Sequence, residues 1–169
     1  MSKYFIFWLV FAGLGSSSQM LYGENEAPAE SPPDFIMSVP GELTWLDGPP
    51  SLPTGSKVTV LEGSPAKAGP FTVRIKLPAN YKVAPHWHPE VEHVTVLSGV
   101  LYMGHGADFD TSKAKKLGVG GFIVMAKEVK HFAFTREEGS TIQLHGIGPW
   151  GITYVNPADD PRQNPRVNS

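Results

Sequence analysis

The sequence predicts an all-β domain, and three observations carry that prediction. Short apolar runs rich in Val, Ile, Phe, Tyr and Thr recur from Phe35 onward: VTVLEG, FTVRIKLP, VEHVTVLSG, VLYMGHG, GFIVMA, HFAFT, TIQLHGIG and GITYVNP. These are strand-forming residues in strand-length segments. Turn formers separate the runs, and the chain holds 18 Gly and 16 Pro in 169 residues, a supply suited to many tight turns. No stretch beyond Phe35 has the apolar periodicity of an amphipathic helix. ADFDTSKAKKL, residues 107 to 117, comes nearest, and a loop fits it equally well. Evenly spaced short strands close into a sandwich or barrel. The length suits one domain with flanking segments, and a 41% hydrophobic content is enough for a core.

The N-terminus reads as an export signal. Lys3 provides a positive start, residues 4 to 14 (YFIFWLVFAGL) are continuously apolar, and small residues follow at Gly15, Ser16, Ser17 and Ser18. The apolar run falls short of the ~20 residues of a bilayer-spanning helix. Residues 1–23 are therefore expected to be a cleaved signal peptide, with cleavage near Gly23, Ala27 or Ala29; the alternative is an uncleaved anchor. Cutting after Gly23 removes Lys3 and no acid, which takes the net charge from −2 to −3. Periplasmic or extracellular export follows, with no membrane contact after cleavage. Residues 24–39 begin polar, acidic and proline-rich and read as a flexible leader. The barrel is expected over 40–156, and the polar, proline-rich segment 157–169 as a tail. A formal charge of −2 gives no basic field for nucleic acid. The absence of cysteine removes disulfides, thiol catalysis and cysteine-type zinc sites.

The chemistry concentrates in PHWHPEVEH, residues 85–93. His86 and His88 are two apart, so in a strand both rings point to one face, with Cα atoms ~6.6 Å apart. Two imidazoles so placed can converge on one ion. Pro89 turns the chain and Glu92 opens the next run. Alternation puts Glu92 with Val94 and Val96 on one face and His93 with Thr95 and Leu97 on the other. The valines mark the interior, so Glu92 points inward and His93 outward. A fourth ligand must come from elsewhere, and His131, at the start of HFAFT, is the best candidate.

These residues resemble the first motif of the cupins: His-x-His, three residues, Glu, six residues, Gly, here His86, His88, Glu92 and Gly99. The second cupin motif is matched by Gly120 and His131 at the family separation. Ala126, Glu128 and Thr135 stand where that motif has Pro, Gly and Asn, and Asn80 replaces the glycine that opens the first motif. Asn tolerates the left-handed turn a glycine would occupy. The resemblance spans roughly residues 40–156 and is strongest to small single-domain bacterial cupins. It implies a double-stranded β-helix (jelly-roll) barrel. It also implies a divalent metal, Mn, Fe, Ni, Zn, Co or Cu, held by His86, His88, Glu92 and His131; this ligand set does not choose among them. Open coordination positions would then permit Lewis-acid or oxygen chemistry.

The resemblance therefore implies a metal-binding exported cupin with a small-molecule ligand or substrate. Metal-dependent oxygenation of a small organic molecule is one reaction class, and isomerisation or hydrolysis are others. The rival from a different class is a non-catalytic metal- or ligand-binding module. Cupins pair through edge strands, so a homodimer is expected. Among the remaining polar residues, Glu90 reads as a rim carboxylate and His105 as a surface residue. His93 reads as outward, or as a partner that orients a ligand. His145 fits either face of its strand. Arg74 and Lys76 share one face of FTVRIKLP and point to solvent, or else line the cavity and hold an anion.

Overall fold

A computed structural model describes residues 35–163. Eleven strands run in order: β1 (Leu46–Asp47), β2 (Lys57–Glu62), β3 (Gly69–Leu77), β4 (Lys82–Trp87), β5 (Glu92–Gly99), β6 (Leu101–His105), β7 (Lys115–Leu117), β8 (Phe122–Met125), β9 (His131–Phe134), β10 (Ser140–Gly148) and β11 (Thr153–Tyr154). Two antiparallel sheets form, of order β1-β2-β3-β10-β5-β8 and β11-β4-β9-β6-β7. This is the all-β fold that the strand pattern predicts, in the jelly-roll form that the cupin resemblance implies. The export signal read at 1–23 and most of the leader lie outside the described residues.

Alternation along each strand builds the core. Val73 and Ile75 of β3, Val94 and Val96 of β5, and Ile142 and Leu144 of β10 are buried on one side of the first sheet. They pack in one cluster with Val83, Leu101, Met103 and Ala133 of the second. Each fully buried side chain of this size contributes about 1.5–3 kcal/mol. The alternation fails in β4, where Val83, Ala84, Pro85 and His86 are all buried and the pairing with β9 slips between Val83 and His86. That irregularity re-aims the end of β4 toward the interior.

Two turns explain motif residues. Gly99 sits at φ 68°, and a Cβ there would lie 2.3 Å from the Gly139 carbonyl oxygen, so only glycine fits. Asn80, the replacement for the opening glycine, adopts φ 57° as its side-chain type allows. Glu128, which replaces the second-motif glycine, is also left-handed at φ 62°.

Two segments differ from the sequence reading. Residues 107 to 117 are neither one helix nor one loop. Asp110 caps a short 3-10 turn at Thr111–Lys113, and the chain then enters β7. Phe109 anchors this segment, with ring centroids 4.8 Å from Phe132 and 5.6 Å from Phe134. The first part of the expected tail is tied down: a 3-10 turn covers Pro157–Asp159, and Arg162 grips Asp160 and donates to the Ile152 carbonyl at 3.1 Å.

Candidate metal centre

Both sheets supply the site. His86 and His131 face each other as register partners on β4 and β9. His88 lies just beyond the end of β4, and Glu92 opens β5 in the opposite sheet. All four are buried, at 5%, 3%, 3% and 5% exposure for His86, His88, His131 and Glu92.

Backbone carbonyls fix each ring. His86 Nδ1 contacts the Ala84 oxygen at 2.7 Å, His88 Nδ1 the Gly151 oxygen at 2.7 Å, and His131 Nδ1 the Val129 oxygen at 2.9 Å. A carbonyl only accepts, so each Nδ1 donates its hydrogen and each neutral ring presents an Nε2 lone pair. One ligand nitrogen from each of the three histidines lies within 4.8 Å of the other two. Nitrogens bound to one ion at about 2.1 Å stand no more than about 4.2 Å apart, so a small closing of the side chains suffices. A Glu92 oxygen lies 3.4 Å from both His88 Nε2 and His131 Nε2.

This arrangement tests whether a cation fits. With the Nδ1 hydrogens committed to carbonyls, lone pairs and a carboxylate face one another in a buried space. Acceptors crowded against acceptors need an electropositive centre among them. His88 Nε2 is buried without a hydrogen-bond partner, as an atom awaiting a ligand would be. The three buried histidines can hold a metal ion, with the pinned Nδ1 hydrogens as the outer contacts that orient them.

Electrostatics agree. Burial, then the neighbouring His131 and His88, pushes the His86 imidazole down to about 3, so it stays neutral. Burial pushes the Glu92 carboxyl up, but hydrogen bonds from His131 and His88, then their charge, outweigh it and hold the carboxyl below the ordinary carboxylate range; that pull needs a positive centre facing Glu92, a place an ion takes when the rings present lone pairs. Trp150 stacks on His88 with centroids 4.2 Å apart and planes 22° apart. Neither the Trp150–His88 stack nor the Gly151 carbonyl contact is legible in local sequence pattern, because both partners lie more than sixty residues from His88.

The remaining candidates lie elsewhere. His93 and His145 are cross-strand partners stacked at 4.7 Å on the outer face of the first sheet, so neither orients a ligand. Glu90 is on the rim, paired with Lys127 at 3.4 Å. His105 is exposed. Arg74 points away from the interior, its Nε donating to Gln143 Oε1 at 3.1 Å, and Lys76 lies over the Trp45 ring.

A jelly-roll with three inward histidines and a glutamate between its sheets defines a cupin. The model of the ChrR cupin-like domain family matches residues 35–145, and the chain belongs to that family. The fold is similar to the polyketide cyclase RemF from Streptomyces resistomycificus (14% identity, TM-score 0.64, covering 76% of this chain and 91% of that one). It is also similar to a putative acetylacetone dioxygenase from Methylibium petroleiphilum (19%, 0.58, 79% and 89%) and to an RmlC-like cupin from Shewanella frigidimarina (15%, 0.53, 70% and 95%). No functionally curated protein matches the sequence significantly.

Proposed function

We propose that this chain is an exported metal-binding cupin that acts on a small organic molecule, with metal-dependent oxygenation as the leading reaction class. One observation carries the reading: three buried imidazoles, each with Nδ1 pinned to a carbonyl, turn their free nitrogens toward one another and toward Glu92. The residues that would hold the ion are His86, His88, His131 and Glu92. A divalent ion held there would supply Lewis-acid or oxygen chemistry.

The chain's own groups do the rest. The carbonyls of Ala84, Gly151 and Val129 hold the imidazoles in the tautomer that binds metal. Glu92, kept ionised, balances the charge of the ion that the histidines would share. The cavity wall beside the centre is mainly aliphatic, which disfavours water next to the ligands. Export rests on residues 1–23, and the homodimer on exposed edge strand β8, where Phe122 and Val124 face solvent.

Oxygen uptake by the metal-loaded protein, measured over a panel of phenols, keto acids and 1,3-diketones, tests the reaction class. Uptake with at least one member, abolished by joint His86→Ala and His88→Ala replacement, supports oxygenation. Metal bound but no uptake or product with any member assigns the centre to binding rather than turnover.

A further inference from the structure

The cavity lined by His86, His88, Glu92 and His131 has a volume of about 490 Å³, inside the about 300–1,000 Å³ range of small-molecule pockets. Its wall is aliphatic and comes from both sheets, with Val73, Ile75, Val94, Met103, Ile142 and Leu144 among its residues. Among the described residues, no lysine or arginine lines it. Outside the centre the polar side chains on the wall are Asp47, Ser51, Ser64 and the Trp150 indole, whose Nε1 is buried without a hydrogen-bond partner, and Asp47 is already held by Lys57 Nζ at 2.6 Å.

Charge then limits the occupant, an argument that rests on the metal reading above. Three neutral imidazoles and one carboxylate around a divalent ion leave a single net positive charge at the centre. A buried charge without a partner is costly, as is a buried hydroxyl without a hydrogen bond. One singly ionised oxygen group cancels the charge. A second negative charge on the same molecule finds no lysine or arginine on the wall and meets hydrocarbon or the Asp47 carboxylate, and the few polar side chains there leave most hydroxyls of a sugar without partners. We propose that the site selects molecules with an apolar body and one ionisable oxygen group, phenols being the representative class, and discriminates against dicarboxylates, phosphate esters and free sugars.

Calorimetric titration of the zinc-loaded full chain with 4-hexylphenol, azelate and glucose tests this. The phenol should bind about tenfold or more tightly than either competitor. It should also perturb the indole fluorescence, a change lost in Trp150→Phe because that ring lies in the wall against His88. Val60→Arg places a cation on the wall at a half-exposed position, where folding is spared. It should shrink the phenol-to-azelate preference by about threefold or more. Azelate or glucose binding as tightly as the phenol, no phenol binding to zinc-loaded protein, or a preference unmoved by Val60→Arg would overturn the selectivity while leaving the metal reading intact. Failure to take up zinc or any other divalent ion would overturn the metal reading and the selectivity with it.

Discussion

Two groups of histidines lie on opposite sides of β5. On the inner side, His86, His88 and His131 are buried, each Nδ1 is tied to a carbonyl, and the free nitrogens gather beside Glu92. On the outer side, His93 and His145 stack nearly parallel, at 7° between planes, and His93 Nδ1 has no partner. Glu92 and His93 are adjacent in sequence, yet strand alternation sends one to each group. Closeness of imidazoles is common to both. What separates them is orientation: inner rings are locked with lone pairs converging on a carboxylate, whereas outer rings lie face to face with their in-plane lone pairs directed past each other.

That contrast is open to direct attack. The largest effect is expected from His86→Ala with His88→Ala, which should abolish stoichiometric metal binding. His93→Ala with His145→Ala should leave the stoichiometry unchanged. Elemental analysis of both double variants decides, and metal loss in the outer variant would erase the distinction. Next, Glu92→Gln keeps the side-chain shape but removes the charge, and should weaken metal affinity by about 100-fold or more, read by competition with a chelator.

Acid should weaken the metal-free protein through the inner group. His86 is held neutral down to about pH 3, while an unfolded imidazole takes its proton near 6.5. The unfolded chain therefore binds more protons over that window. Stability is full above about pH 6.5 and falls toward pH 3, by up to about 1.4 kcal/mol per pH unit from His86 alone. Glu92, also lowered, adds to the loss below its ordinary value of 4.5. Urea unfolding of metal-free protein from pH 7.5 to 4.5 measures the slope, and a flat profile would contradict burial of a neutral His86.

The smallest effects concern the turns that support the inner group. Thr135 Oγ1 donates to the Pro78 carbonyl at 2.6 Å and accepts from the Tyr81 N–H at 2.9 Å. Thr135→Val should cost about 1–3 kcal/mol by stranding both, with metal stoichiometry preserved. Glu128→Gly relieves a left-handed residue and should stabilise by about 0.5–1 kcal/mol in thermal unfolding.

Much of this was legible in the sequence, for reasons of period. Val94 and Val96 mark the inner face of β5, and that alone places Glu92 inside and His93 outside. His86 and His88 share a direction as their two-residue spacing implies, although the regular strand ends at Trp87 between them. His131 had to be inferred from a second motif with altered turn residues. Asn80 and Thr135 keep the turn geometry by other means, a tolerated left-handed φ and a pair of side-chain hydrogen bonds. The slip in β4, the Phe109 anchor and the stacking of Trp150 on His88 arise from contacts between segments distant in the chain. Local pattern carries no trace of them.

The inner histidines and Glu92 stand or fall as a metal centre on what they hold. Elemental analysis of the as-isolated full-length protein, paired with a metal-edge absorption spectrum, tests it most directly. About one divalent transition-metal ion per chain with nitrogen and oxygen neighbours is expected, lost when His86 and His88 are replaced together. Protein that is isolated without metal, and that also refuses added Mn, Fe, Ni, Zn and Cu, would contradict it.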